Sequence, residues 1–179
     1  MSRRPLRSSW TKDARGVAAV EFALIAPVLL TLLLTGYETF FALSTYRKLT
    51  DTTVQLANVV SQYTTMSATD VTTVFNATSQ IMAPYSTNHL SIVLSEVTAD
   101  ASGNPTVTWS RAYNGATPLA TGSSVVMPTG LAAPSTSYIL VRSAYTYIPA
   151  GAPGFVGNIP MADQLFALPR QSTSIPYTG

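Results

Sequence analysis

A single glutamate, Glu21, stands inside the most apolar stretch of the chain and is the residue whose chemistry most needs a reason. The 18 residues from Val17 to Leu34 are all apolar or small except Glu21 and Thr31. An ionisable side chain at the centre of a membrane segment costs about 2.5–3.5 kcal/mol on insertion scales, so such residues are rare and usually functional. Glu21 is therefore the first candidate for a functional side chain.

The other residue types that carry chemistry form no recognisable site. His89 is the only histidine, and its neighbours Asn88 and Leu90 fit no catalytic pattern, so we interpret it as a surface or strand-edge residue. The chain has no cysteine and its eight carboxylates are scattered, which disfavours thiol chemistry and clustered metal ligands. The glycine-rich run 151–157 lacks the Lys-Ser/Thr ending of a phosphate loop and is interpreted as a turn. We expect no enzyme, with no catalytic, cofactor-binding or metal-binding residue.

The element that must position Glu21 is a long helix. An 18-residue helix rises about 27 Å, close to the hydrocarbon thickness of a bilayer. Apolar residues at spacings of three and four continue beyond it, which predicts one helix over 17–62, embedded in lipid in its first half and amphipathic in its second. Pro27 removes a backbone donor and predicts a local kink, and Gly36 is a second weak point.

The charges on the two sides of the apolar run differ in sign. Residues 1–16 carry a net charge of +4, whereas the rest of the chain carries −2. A basic leader before an apolar segment predicts a cytoplasmic N-terminus and an exported C-terminal part. A nucleic-acid patch is the alternative, but five basic residues next to a membrane helix are far more typical of a topology signal, so we expect no nucleic-acid partner.

The exported part, residues 63–179, has the length of one ordinary domain. A second helix is predicted over 67–82, because apolar residues share one face and Ser67 or Asp70 can cap its start. Alternating patterns predict strands over 89–98, 107–111, 138–148 and 162–173, with Val125 to Met127 helical or strand-like between them. Pro169 favours an edge position for the last strand. These elements predict an α+β fold with an antiparallel sheet and helices on one face.

The run from Arg15 to Pro27, RGVAAVEFALIAP, resembles the head of the TadE-like family, the minor pilin-like subunits of tight-adherence (Flp-type) pili. This resemblance implies cleavage by a prepilin peptidase after Gly16, so that Val17 becomes the new N-terminus and Glu21 the fifth mature residue. Phe22 would then fill the aromatic position that commonly follows the glutamate. The resemblance is specific over about residues 13–37, and further along the chain it concerns architecture.

Two interpretations of Glu21 follow from its position near the start of the helix. Cleavage would create a free α-amino group one helical turn away, and the carboxylate could pair with that cation or with the one on a neighbouring subunit. Alternatively, Glu21 lies in the first turn of the helix, where the dipole favours an acidic side chain by about 0.3–1 kcal/mol. The first interpretation is favoured because the basic leader, Gly16 and Pro27 stand at the positions relative to Glu21 that the resemblance requires.

The sequence therefore predicts a single-pass membrane protein. The resemblance implies that this membrane is the bacterial inner membrane, with the C-terminal domain in the periplasm or outside the cell, and that the chain acts in assembly, priming or tip formation of a tight-adherence pilus. The resemblance implies prepilin peptidase, other pilin-like subunits and the pilus machinery as partners, beside the lipid bilayer. The rival is an exported binding or adhesin domain tethered by an uncleaved signal anchor, which needs neither Gly16 before Val17 nor an acidic residue at position 21.

Overall fold

A computed structural model describes residues 14–151 and 157–179 of the chain. Its first element is a helix of 47 residues, α1 (Ala14–Val60), which continues without interruption through Pro27. The predicted long helix is confirmed, and it ends in a turn at Ser61 and Gln62. Residues 1–13, which hold most of the predicted basic leader, lie outside the described residues.

Helix α1 has two halves with different surroundings. From Val17 to Tyr37 nearly every residue is exposed. From position 38 onward, one residue in every three or four is buried, which is the spacing of a single helical face. The buried residues of this second half are Glu38, Ala42, Thr45, Leu49, Thr52, Thr53, Leu56, Ala57 and Val60. The first half therefore projects from the folded domain, and the second half is part of its core.

The second helix, α2 (Ala68–Met82), begins at a reciprocal cap. The Asp70 amide donates to Ser67 Oγ at 3.2 Å, and the Ser67 amide donates to Asp70 Oδ2 at 2.9 Å. The same hydrogen bonds lower the pKa of the Asp70 carboxyl, because they stabilise its charged form. The prediction that Ser67 or Asp70 caps this helix is confirmed, and the helix ends before Pro84.

Four strands follow: β1 (Leu90–Ala99), β2 (Pro105–Tyr113), β3 (Ser137–Tyr147) and β4 (Ile159–Ala167). They form one antiparallel sheet in the order β2-β1-β3-β4. Helix α1 packs on β3 and β4 and also contacts α2. The predicted α+β fold is confirmed.

Two details of the predicted strands were wrong. The last strand runs over Ile159–Ala167 and not over 162–173, so Pro160 lies within it and Pro169 follows it. A proline is tolerated there because β4 is an edge strand. Val125 to Met127 form neither helix nor strand. Ser124, just before them, forms a single bridge with Thr106 of β2, and the Val125 amide donates to the Pro105 carbonyl at 3.0 Å.

The main core lies between the two helices and one face of the sheet. Leu49, Leu56 and Val60 of α1 meet Ile139 and Val141 of β3 there. A smaller cluster of Val97, Val107, Val125 and Leu140 fills part of the other face, under the loop between β2 and β3. Both helices thus cover the same face of the sheet. The division into a leader, a helix and a domain at residues 16 and 62 stays a prediction.

Candidate functional site

The projecting half of α1 has the properties of a membrane-spanning segment. Within the described residues, one helix, α1, is long and apolar enough to cross a membrane. None of its most apolar 18 residues is buried in the fold, and Phe22, Leu24 and Leu33 are about 70% exposed. An apolar segment of this length is stable when a bilayer or other apolar surface covers it. The helix is consistent with a single-pass membrane protein.

The predicted processing and assembly residues all lie on this half. Gly16 is inside the helix, Val17 and Phe22 are exposed, and Glu21 is exposed on the turn after Val17. Glu21 follows Val17 by four positions, so the helix places them on one face. Their roles in processing and assembly stay predictions.

The fold itself gives no reason for Gly16 or Glu21. A Cβ added to Gly16 would meet nothing within 4 Å, and the backbone there is ordinary helix. Glu21 is exposed and belongs to neither buried cluster. A glycine and a glutamate that intramolecular packing does not require are explained more easily by interactions with other molecules.

Pro27 lies in the middle of the exposed segment. The helix continues past it, and Thr31 Oγ1 donates to the Pro27 carbonyl at 2.8 Å. Because proline has no amide hydrogen, the carbonyl four residues earlier lacks its usual helical donor. The kink at this residue stays a prediction.

Sequence reasoning missed the junction at which α1 enters the domain. Glu38 is 1% exposed, and its carboxylate accepts two hydrogen bonds, one from the last residue of β3 and one from a residue just after that strand. The Tyr147 hydroxyl donates to Oε2 at 2.7 Å, and the Gly151 amide donates to Oε1 at 2.6 Å. Burial, together with the hydrogen bond to Glu38, raises the pKa of Tyr147 above its ordinary range. The hydroxyl therefore stays protonated and keeps its donor role, and we call these three residues the junction cluster.

A side chain at position 151 would have to displace the Glu38 carboxylate from its hydrogen-bonded position. A Cβ added to Gly151 would lie 2.8 Å from Glu38 Oε1 and 3.5 Å from Tyr37 Cε1. The signal in the sequence was the acidic residue between Tyr37 and Phe40 in a segment with few charges. Residues 152–156, which hold most of the run predicted to be a turn, lie outside the described residues.

A second buried carboxylate, Glu96, holds the C-terminal segment against the sheet. Its Oε1 accepts a hydrogen bond from the Ile175 amide at 2.7 Å, and Trp109 Nε1 donates to the Ile175 carbonyl at 2.8 Å. Burial raises the pKa of Glu96, and the amide of Ile175 offsets part of that effect by stabilising the charged form. The signal was the alternation of β1, which places Glu96 on the same face as Leu94.

The described residues bring no catalytic constellation together. His89 is exposed at the end of a short 3₁₀ turn, as expected for a surface histidine. Among the same residues, no group of three or more His, Cys, Asp or Glu could hold a metal ion. A shallow groove of about 420 Å³ on the outer face of the sheet contains Arg142, whose buried Nε has no hydrogen-bond partner there.

Comparison with known protein families agrees with the N-terminal helix. A family model described as "TadE-like protein" matches residues 16–57, which covers the projecting half of α1 and most of its packed half. The predicted resemblance to the TadE-like family is confirmed over these residues. Comparisons with curated proteins and with solved structures gave no match.

Proposed function

We propose that this chain is a pilin-like subunit of a tight-adherence pilus system, with a structural role and no enzymatic one. The observation that carries the proposal is Glu21, an exposed acidic residue in an apolar helix that also matches the TadE-like model. A segment that only tethered a domain would be more stable in the membrane with an apolar residue at this position. A subunit that docks on others through its helix has a use for the charge.

In this proposal the basic N-terminus stays in the cytoplasm and prepilin peptidase cuts between Gly16 and Val17. The new α-amino group and Glu21 then pair, within one subunit or between two neighbours, when the helix is withdrawn from water. Phe22 lies beside this pair and packs on the neighbouring helix, and Pro27 adjusts the helix axis. The folded domain is carried on the periplasmic or extracellular side and takes part in assembly, priming or the tip of the filament.

Replacing Glu21 by leucine tests the proposal. Glu21→Leu removes the one ionisable residue of the 17–34 segment, so insertion should be at least as good as in the wild type. Docking should fail, because breaking a buried ion pair costs about 3–5 kcal/mol, which corresponds to a loss of roughly two to three and a half orders of magnitude in the association constant. The measurements are co-purification with other pilin-type subunits from native membranes and a count of surface filaments.

Thr31→Leu is the matched control. It also replaces a polar residue of the exposed segment by leucine, but it keeps Glu21. We expect the Thr31→Leu protein to co-purify with other pilin-type subunits and to support pili. The Glu21→Leu protein should be present at normal abundance but should do neither. A Glu21→Leu protein that assembles normally would favour the tethered binding domain instead.

A further inference from the structure

The hydrogen bonds of the junction cluster set the distance, along the axis of α1, between the folded domain and the apolar segment. Glu38 follows Leu34 by four residues, which places it about 6 Å further along the helix axis. Gly151 is held at this level, because its amide is 2.6 Å from Glu38 Oε1. The headgroup layer on each side of a bilayer is about 5–8 Å thick. If the segment 17–34 spans the bilayer, Gly151, which follows the end of β3 by four residues, therefore lies within or directly against the headgroup layer.

The orientation of β3 agrees with this placement. Ser143 of β3 hydrogen-bonds to Thr53 of α1, whereas Tyr147, four residues later, reaches back to Glu38. The strand thus runs toward the projecting half of α1. The turn between β1 and β2 lies at the other end of the sheet, because Thr98 at the end of β1 pairs with Ser137 at the start of β3. The domain has an end near the apolar segment and an end far from it.

The surface at the near end has the composition of a membrane interface. Three exposed residues adjoin the junction cluster along the chain: Tyr37 and Phe40 lie beside Glu38 on α1, and Ile148 follows Tyr147. Tyr37 is 54% exposed, Phe40 is 67% exposed and Ile148 is 48% exposed. Tyrosine and tryptophan side chains are enriched at the level of the lipid headgroups, which fits Tyr37. Phe40 and Ile148 are exposed apolar side chains, which an apolar surface such as the edge of the acyl region would remove from water. Glu38, the only charged residue between Glu21 and Arg47, is turned inward and presents no carboxylate to this surface.

We propose that the exported domain rests on the membrane surface through Tyr37, Phe40 and Ile148, and that Glu38 positions the end of β3 for this contact. The proposal rests on the proposed function in one respect, namely that residues 17–34 span the bilayer. It adds that the partner of the near end of the domain is lipid. The distance between the domain and the membrane surface is therefore fixed before the subunit docks on another subunit.

The chain contains no cysteine, so single cysteines can report depth without further changes. We would place one cysteine at Ile148, at Phe40, at Leu29 in the apolar segment, or at Ser102 in the far turn. Each full-length variant is labelled with a small fluorophore and reconstituted into phosphatidylcholine vesicles. Quenching is then measured with lipids spin-labelled at the headgroup or along the acyl chain.

We expect the headgroup quencher to act on the label at position 148 as strongly as on that at position 40, and several-fold more strongly than on that at position 102. The label at position 29 reports insertion separately through the acyl-chain quencher. Quenching at position 29 with none at position 148 would overturn the contact and leave the membrane-spanning segment intact. No quenching at position 29 would instead refute the spanning segment, and with it this inference.

Glu38→Ala tests the positioning role within the same assay, with Asp51→Ala as a control for the loss of an exposed acid on α1. Glu38→Ala should lower quenching at position 148 several-fold and leave it unchanged at position 29. Asp51→Ala should change neither. Equal quenching at position 148 with and without Glu38 would show that this carboxylate does not position the end of β3.

Discussion

Removal of the Glu38 carboxylate should destabilise the domain by about 2–4 kcal/mol. The carboxylate accepts hydrogen bonds from Tyr147 and Gly151, and hydrogen bonds to charged groups contribute about 1.5–3 kcal/mol each. The sum is reduced because Tyr147 is only partly buried, so water can replace part of what its hydroxyl loses. Tyr147→Phe removes one of the two donors and should cost about half as much as Glu38→Ala.

The assay is a urea titration of the full chain in detergent micelles, followed by the fluorescence of Trp109. Trp109 is buried in the core, and Trp10 is the only other tryptophan, so the titration is done with Trp10 replaced by phenylalanine. Asp51→Ala is the control, because substitution of an exposed residue usually changes stability by less than about 0.5 kcal/mol.

A double-mutant cycle makes the prediction specific to the junction. Gly151→Ala should destabilise the wild type, because the new methyl group would lie 2.8 Å from Glu38 Oε1. In the Glu38→Ala background that clash is gone, so Gly151→Ala should cost much less there. Two results would refute the reasoning. One is an equal free energy of unfolding for Glu38→Ala and Asp51→Ala. The other is an equal loss of stability from Gly151→Ala in the wild type and in Glu38→Ala.

Two further predictions concern alkaline stability and topology. The raised pKa of Tyr147 keeps its proton in the folded state, whereas an unfolded tyrosine loses its proton near pH 10, so the free energy of unfolding should fall above about pH 10. Urea titrations at increasing pH should show a smaller fall in the free energy of unfolding for Tyr147→Phe than for the wild type. An equal fall in both proteins would contradict the assignment of this effect to Tyr147. The charge of +4 before the apolar segment and −2 after it should place residues beyond Tyr63 outside the cytoplasm. A reporter enzyme that is active only in the cytoplasm should therefore be inactive when fused after Tyr63, and activity there would reverse the topology.

The sequence predicted the elements of this fold better than their arrangement. The long helix and the capped second helix follow from local spacing and from Ser67 and Asp70, which need no information from elsewhere in the chain. The place of β3 between β1 and β4 depends on contacts between distant residues, which periodicity does not specify. The bounds of β4 were wrong because Pro160, although it cannot donate to a ladder, is tolerated on an edge strand.

The residues of the candidate site likewise fall into those that the sequence predicted and those that it did not. Gly16, Glu21 and Phe22 were found because their spacing along the chain carries the pattern. Glu38 was not found, because its partners Tyr147 and Gly151 are more than 100 residues away and lie on another element. Glu96 stood at an inward position of an alternating strand, and that alternation could have identified it as a buried carboxylate.

The mass of the protein isolated from native membranes tests the central claim most directly. A pilin-like subunit cut between Gly16 and Val17 should have the mass of a chain that begins at Val17, with or without a methylated amine. Gly16→Phe should leave the precursor uncut, and because nothing lies within 4 Å of a Cβ at this position, the fold itself should accept the larger residue. A native protein that retains residues 1–16, or that is cut near Gly36, would contradict the account.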